Sequence, residues 1–197
     1  MQARAAAPIV LVFVLVAALG CEAAPAARSA PDGDPAAVPR TAGSALDADA
    51  ERLQPVVAVH GGAGPWVVAG YRMGLHALAR LGLERGSFAI EVTHLSPREV
   101  QYSCIADGAA AATGASLGKL NLSLTEAPAD EMRTLYRNRK TGQSLALRTS
   151  SGFRERFAGV PRGALAAAGR EVLHLRDEDI FEAVEAVAPA DALNGNR

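Results

Sequence analysis

An apolar run near the N-terminus limits which part of this 197-residue chain can join a folded core. The run extends from Ile9 to Leu19, follows a start with one arginine, and ends in Gly20-Cys21. Its length is that of the hydrophobic region of a signal peptide and falls short of the ~20 residues that span a bilayer. We therefore expect residues 1–21 to direct export.

The residues at the end of this run predict where the exported protein is held. Ala18-Leu19-Gly20-Cys21 is similar to a bacterial lipobox, in which small residues precede the cysteine that receives a lipid. We expect a lipid on Cys21 that tethers the protein to the outer membrane, facing the periplasm. Glu22 supports this address because it is not the aspartate associated with inner-membrane retention. An ordinary secretory signal cleaved near Ala23-Ala24 and an uncleaved anchor are the alternatives.

Composition divides the rest of the chain into a tether and one domain. Residues 22–52 are rich in Ala, Pro, Gly, Ser and Asp without apolar periodicity, which predicts a disordered tether because little surface offsets the ordering entropy. Residues 53–197 have the size of one domain. The formal net charge is −1 and the basic residues are scattered, so we expect no nucleic-acid partner.

Cysteine content leaves one thiol to explain. The chain contains two cysteines, Cys21 and Cys104. If Cys21 is lipidated or removed, the mature domain has no internal disulfide. A lone thiol in an oxidising compartment is buried and inert, bound to a metal, or exposed to oxidation.

The order of the predicted elements indicates an α+β domain. Helix, strand, helix and then several strands predict a mixed sheet with helices packed on one face. Apolar periodicity and turn residues place the elements as follows: strands at 55–59, 87–95, 119–124, 131–138, 144–149 and 182–187, and helices at 66–83, 98–113, 151–157 and 162–168.

One short motif suggests a serine hydrolase. Gly114-Ala-Ser116-Leu-Gly118 matches the G-x-S-x-G nucleophile elbow, and Asp130 and His174 follow in the order of an α/β-hydrolase triad. An elbow needs a strand before the serine and a helix after it, whereas here an Ala-rich helix precedes Ser116 and a strand follows. A serine hydrolase that uses Ser116 is therefore kept only as a further alternative.

A larger set of residues carries a family resemblance. Cys104 and Asp107 are three positions apart on the second long helix, which places the thiol and the carboxylate on one face. With their flanking motifs they resemble the family of E subunits of formylmethanofuran dehydrogenase over about residues 60–148, and residues 171–181 resemble its closing segment. The motifs are His60-Gly61, Gly70-Tyr71-Arg72, Cys104-Ile-Ala-Asp107, Thr113-Gly114, Gly118-Lys119 and Asn121.

The chain also departs from the family pattern. Gly62 and Gly64 stand where the family loop His-Gly-His-x-Cys-Pro-Gly has its second histidine and its cysteine. Ala115 and Ser116 replace the cysteine and threonine of the Thr-Gly-Cys-Thr element. In many relatives, Cys-x-x-Cys pairs form a zinc ribbon. This sequence contains no such pair.

The resemblance implies a metal site. His60, Cys104 and Asp107 remain from the family's ligands, and zinc or another divalent transition metal accepts this combination, with water as a fourth ligand in a catalytic site. A metal would also explain how a lone thiol persists outside the cytoplasm. His94 is a candidate replacement ligand. The alternatives are hydrogen-bonded histidines and a Cys104 that packs as a small hydrophobe.

Two basic residues complete the candidate site. Lys119 and Arg72 are candidates for binding an anionic group of the substrate, with structural salt bridges as the alternative. A metal shared by His60 and Cys104 requires their nitrogen and sulfur atoms to lie within about 4 Å of each other. A homodimer could supply further ligands from a second chain.

These observations predict an exported lipoprotein that binds zinc or a similar metal and whose substrate is unknown. The alternative is a metal-dependent enzyme for a small polar substrate, with a metal-bound water as the nucleophile. Methanofuran chemistry itself is not expected, because it is cytoplasmic and uses redox cofactors.

Overall fold

A five-stranded sheet with helices packed on it forms the framework of residues 42–186, which the computed structural model describes. This architecture confirms the predicted α+β class. The helices are α1 Ala42–His60, α2 Pro65–Leu81, α3 Val100–Thr113, α4 Ser151–Arg156, α5 Leu165–His174 and the single turn α6 Asp177–Ile180. The strands are β1 Ile90–Ser96, β2 Leu122–Glu126, β3 Arg133–Asn138, β4 Ser144–Thr149 and β5 Phe181–Val184.

The sheet order β2-β1-β3-β4-β5 follows from one crossover and a series of antiparallel pairs. β1 and β2 are parallel, and α3 connects them, because parallel neighbours need a crossover rather than a hairpin. The β3–β4 hairpin turns at the predicted site, where Gly142 has a φ of 78°. Val92 and Tyr136 pair across β1 and β3 and are fully buried in the core beneath α2 and α3.

Helices α2 and α3 cross with their backbones in contact. A Cβ on Gly108 would lie 2.0 Å from the carbonyl oxygen of Val67, and one on Gly70 would lie 2.2 Å from that of Ile105. Only glycine permits so close an approach. The contact fixes the helix that carries Cys104 against α2.

Helix α1 corrects two predictions. Residues 42–52, which the sequence assigned to the tether, and residues 55–59, which it assigned to a strand, form one continuous helix. Leu53 and Val56 lie on its buried face at three-residue spacing. A five-residue apolar run does not distinguish a strand from a helix, and tertiary burial of one helical face decides between them.

The predicted signal peptide with Cys21, and the tether up to residue 41, lie outside the described residues. Between residues 42 and 186, every helix is too short or too polar to cross a membrane.

Candidate functional site

A thiol, an imidazole and a carboxylate form a continuous row where the end of α1 meets α3. Cys104 Sγ lies 3.4 Å from His60 Nε2, and His60 Nδ1 lies 2.8 Å from Asp107 Oδ2. Each nitrogen of the imidazole therefore contacts one of the two α3 side chains. We call these three residues the Cys–His–Asp row.

Local sequence explains why these side chains meet. His60 is the last residue of α1, and Gly61 ends the helix with a left-handed φ of 82° and an N–H bond to Val57 O. Cys104 and Asp107 are neighbours on α3 because residues three apart lie about 5–6 Å from each other on a helix surface. One imidazole can therefore span both.

The hydrogen bond to Asp107 places one hydrogen on the His60 ring. The Asp107 carboxylate accepts a hydrogen bond from His60 Nδ1–H, and in the neutral imidazole this leaves Nε2 as an acceptor facing the thiol. Burial raises the pKa of Cys104, and the nearby Asp107 charge raises it further. The row therefore places the Cys104 thiol beside an imidazole nitrogen that, in this tautomer, can accept its proton.

A cavity of about 580 Å³ opens beside Cys104 and His60. This volume is in the range of small-molecule sites. Its wall combines the glycine loop 61–64 with the beginnings of α2, α3 and α5 and the segment that precedes α5. The lining side chains beyond the row and the loop are Pro65, Trp66, Val67, Val100, Gln101, Phe157, Val160, Arg162, Leu165 and Ala166.

Close contacts hold the cavity wall in place. The Trp66 indole N–H donates to the Phe157 carbonyl at 3.2 Å, and its ring packs edge-on against Tyr102. A Cβ on Gly169 would lie 1.8 Å from Ala63 O, so α5 touches the glycine loop through its backbone. The loop and the helices therefore form one packed wall.

The first turn of α2 brings hydrogen-bond donors to this wall. Its N-cap, Gly64, has no side chain to accept from the helix, and the N–H groups of Trp66 and Val67 have no acceptor within it. Both residues line the cavity. These donors could bind a negatively charged oxygen.

Comparison with known families assigns the domain. The model of a family described as FmdE, molybdenum formylmethanofuran dehydrogenase operon, matches residues 59–182. The chain belongs to the FmdE family. No curated protein matches the sequence. The match includes all of the Cys–His–Asp row and confirms the resemblance inferred from the motifs.

The predicted metal site of this FmdE domain is only partly assembled. Bonds of ~2.3 Å to sulfur and ~2.0 Å to nitrogen in a tetrahedral site separate the two ligand atoms by about 3.5 Å, close to the 3.4 Å found here. However, Asp107 contacts His60 rather than the position between His60 and Cys104. Within residues 42–186, no three His, Cys, Asp or Glu side chains are placed to hold an ion. His60 Nε2 and Cys104 Sγ are thus two atoms at a distance suited to one ion, whereas a catalytic zinc site has three protein ligands and a structural one has four.

His94 has a different role from the one predicted. It is fully buried on β1, with Nδ1 2.9 Å from Thr134 Oγ1 and Nε2 donating to the Tyr102 carbonyl at 3.1 Å. Burial lowers the pKa of His94 to about 4, against a smaller opposing effect of the Tyr102 carbonyl. Because both nitrogens are engaged, His94 is a neutral link between β1 and α3 rather than an available metal ligand.

Arg72 and Lys119 lie outside the cavity lining. Arg72 donates to two carbonyls in the last turn of α5 and to Asp177 Oδ1 at 2.7 Å. Lys119 Nζ donates to Gly114 O at 2.9 Å and lies over the Phe88 ring. These contacts engage both side chains at helix ends, and substrate binding by Arg72 and Lys119 stays a prediction.

Ser116 is also placed without catalytic partners. Its hydroxyl accepts from Lys119 N–H at 3.3 Å, and its own N–H donates to Asn121 Oδ1. His174 pairs instead with Asp49 at 2.8 Å. No histidine or carboxylate contacts the Ser116 hydroxyl in the part of the chain described, so nothing activates it.

Sequence reasoning missed two features of the site. It predicted Asp107 as a metal ligand and did not anticipate the contact of its carboxylate with His60. It also did not single out Arg162, which lines the cavity from a 3₁₀ turn just before α5. No local pattern marks Arg162, because only the packing of α5 on the glycine loop brings it there.

Proposed function

We propose that this FmdE domain is a cysteine-dependent enzyme that hydrolyses or transfers acyl groups. The Cys–His–Asp row carries the proposal. A thiol nucleophile needs a base within hydrogen-bond reach and a third group that orients the base, and the row supplies all three in order.

The chemistry follows from the positions of the atoms. Cys104 Sγ attacks the carbonyl carbon of an ester or thioester, and its proton passes to His60 Nε2. The bond to the leaving group then breaks, and the leaving group takes that proton. Water hydrolyses the resulting thioester and restores the thiol. Asp107 keeps the imidazole in the required tautomer and stabilises its charged form.

One further feature sets a condition on an acyl transfer reaction, and another supports it. The raised pKa of Cys104 keeps the resting sulfur in its thiol form, so attack requires transfer of the proton to His60 Nε2, 3.4 Å away. The N–H groups of Trp66 and Val67 are suited to stabilise the oxyanion of a tetrahedral intermediate.

The test uses the full chain with Cys21→Ser, so that Cys104 is its only thiol, in the presence of a metal chelator. We expect hydrolysis of p-nitrophenyl acetate that Cys104→Ala abolishes and that His60→Gln reduces by about 10² or more. Alkylation of Cys104 by iodoacetamide should slow in His60→Gln as well. Equal hydrolysis by the parent and Cys104→Ala would refute the proposal.

A second candidate is metal binding without turnover. The 3.4 Å between Cys104 Sγ and His60 Nε2 suits two ligands of one zinc or other divalent transition metal ion. Further ligands would come from outside residues 42–186 or from a second copy of the chain.

Metal analysis of the purified full chain tests this second candidate. Stoichiometric metal that Cys104→Ala loses would support it, and its absence, or an unchanged content in the variant, would exclude it. A ligand position open to water would favour a metal-dependent enzyme for a small polar substrate, whereas a closed four-ligand shell would favour a binding protein.

Export as a lipoprotein is part of the proposal and rests on residues 1–21. Incorporation of labelled palmitate into the wild-type chain and its loss in Cys21→Ser would support it. Unlabelled wild-type protein recovered without its first residues would instead indicate a plain secretory signal.

A further inference from the structure

The cavity beside Cys104 has a polarity that restricts its substrate. Most of its wall is apolar, from Trp66 and Val67 on α2 to Phe157 and Val160 before α5. Among the described residues, no Asp or Glu side chain lines it. An apolar substrate portion therefore fits the wall. The carboxylate that acts on this lining is that of Asp107, which contacts His60 and disfavours negative charge at Cys104 itself.

Arg162 is the one fully charged side chain among the described lining residues. It is exposed in the 3₁₀ turn Arg162–Ala164, and it makes no hydrogen bond or ion pair with the residues that the structure describes. The arginines before it in sequence differ, since Arg154 donates to Thr149 O and Arg156 pairs with Glu171. The guanidinium of Arg162 is thus available to a ligand.

The helix ends around the cavity add positive potential in the same place. α2, α3 and α5 all begin at the wall, and their first turns contain no acidic residue. Each helix N-terminus carries a partial positive charge of about half a unit. Two carboxylates border the lining without being part of it: Glu99 is the N-cap of α3, and Asp107 contacts His60.

We propose that the substrate is an acyl compound with an apolar body and a carboxylate or phosphate group that Arg162 binds. Guanidinium binds such groups through paired hydrogen bonds, and apolar walls with few polar groups are typical of small-molecule sites. The inference rests on the proposed function, because it places the acyl carbon at Cys104. Arg162 is then a specificity determinant at the rim, outside the Cys–His–Asp row.

Alkylation of Cys104 by charged and uncharged probes tests whether Arg162 binds an anionic group, and it does not require the substrate to be known. The probes are N-iodoacetyl derivatives of β-alanine and of 6-aminohexanoic acid, each compared with its uncharged methylamide, on the full chain with Cys21→Ser and a chelator. For at least one chain length, we expect the acid to react about tenfold faster than the amide. Arg162→Gln should abolish this preference, whereas Arg170→Gln, a matched control on α5 outside the cavity lining, should retain it.

The outcomes separate the two proposals. If no acid reacts faster than its amide while His60→Gln still slows all probes, the anionic substrate is refuted and the cysteine enzyme stands. Loss of the preference in Arg170→Gln to the same extent would also refute the role of Arg162. If His60→Gln slows no probe, the proposed function itself fails.

Discussion

Mild acid should destabilise the domain through His94. Its pKa is lowered to about 4 in the folded state, because burial disfavours the charged imidazolium, while an unfolded chain restores an ordinary value near 6.5. Below pH 6.5 the unfolded state gains a proton that the folded state does not take up, so the free energy of unfolding falls. The contribution of His94 is thus complete above pH 6.5 and is lost as pH falls toward 4.

The size of this effect follows from the shift. One pKa unit corresponds to about 1.4 kcal/mol, so the full loss is about 3 kcal/mol, of which about 2 kcal/mol falls between pH 7 and pH 5. Two kcal/mol is a large part of the stability of a typical domain. Carboxylates also titrate in this range, so the His94 contribution must be measured as a difference between two proteins.

Urea unfolding monitored by circular dichroism at pH 7 and pH 5 provides that difference. His94→Gln keeps an amide that can donate to the Tyr102 carbonyl but cannot titrate. Between pH 7 and pH 5, we therefore expect its free energy of unfolding to fall by about 2 kcal/mol less than that of wild type. His174→Gln is the control, because the His174 side chain is 57% exposed and reaches solvent in both states. If wild type and His94→Gln lose equal stability, burial does not keep His94 neutral.

Other substitutions test the packing and the site. Gly108→Ala places a Cβ 2.0 Å from Val67 O and should cost about 1–3 kcal/mol in urea unfolding. Its control, Gly152→Ala, meets no atom within 4 Å and should be neutral or stabilising. Asp107→Asn should lower ester hydrolysis by about 10² or more with the fold retained in circular dichroism. Lys119→Gln should leave hydrolysis unchanged, because Lys119 bonds to Gly114 O outside the cavity. A more stable Gly108→Ala would contradict the close contact of α2 with α3. A fully active Asp107→Asn would contradict the role of Asp107 in the Cys–His–Asp row, and an inactive Lys119→Gln would contradict its position outside the cavity.

Apolar periodicity along the sequence was sufficient to predict the helices and strands in which that periodicity is strong. Helix α2 and strands β3 and β4 lie within one or two residues of their predicted bounds. Order and spacing of the short motifs also identified the family, because each motif is tied to a fixed place in the fold. Helix α1 was misassigned because its apolar run is short, and the face that it buries depends on elements far along the chain.

The sequence by itself determined the class of fold, the family and the three residues of the Cys–His–Asp row. Only the tertiary structure decided what they do together, because the end of α1 sets one imidazole between two α3 side chains. It also engages polar atoms of His94 and Arg72 in contacts outside the row. Arg162 joins the cavity through the packing of α5, since contacts between distant segments leave no mark in local sequence.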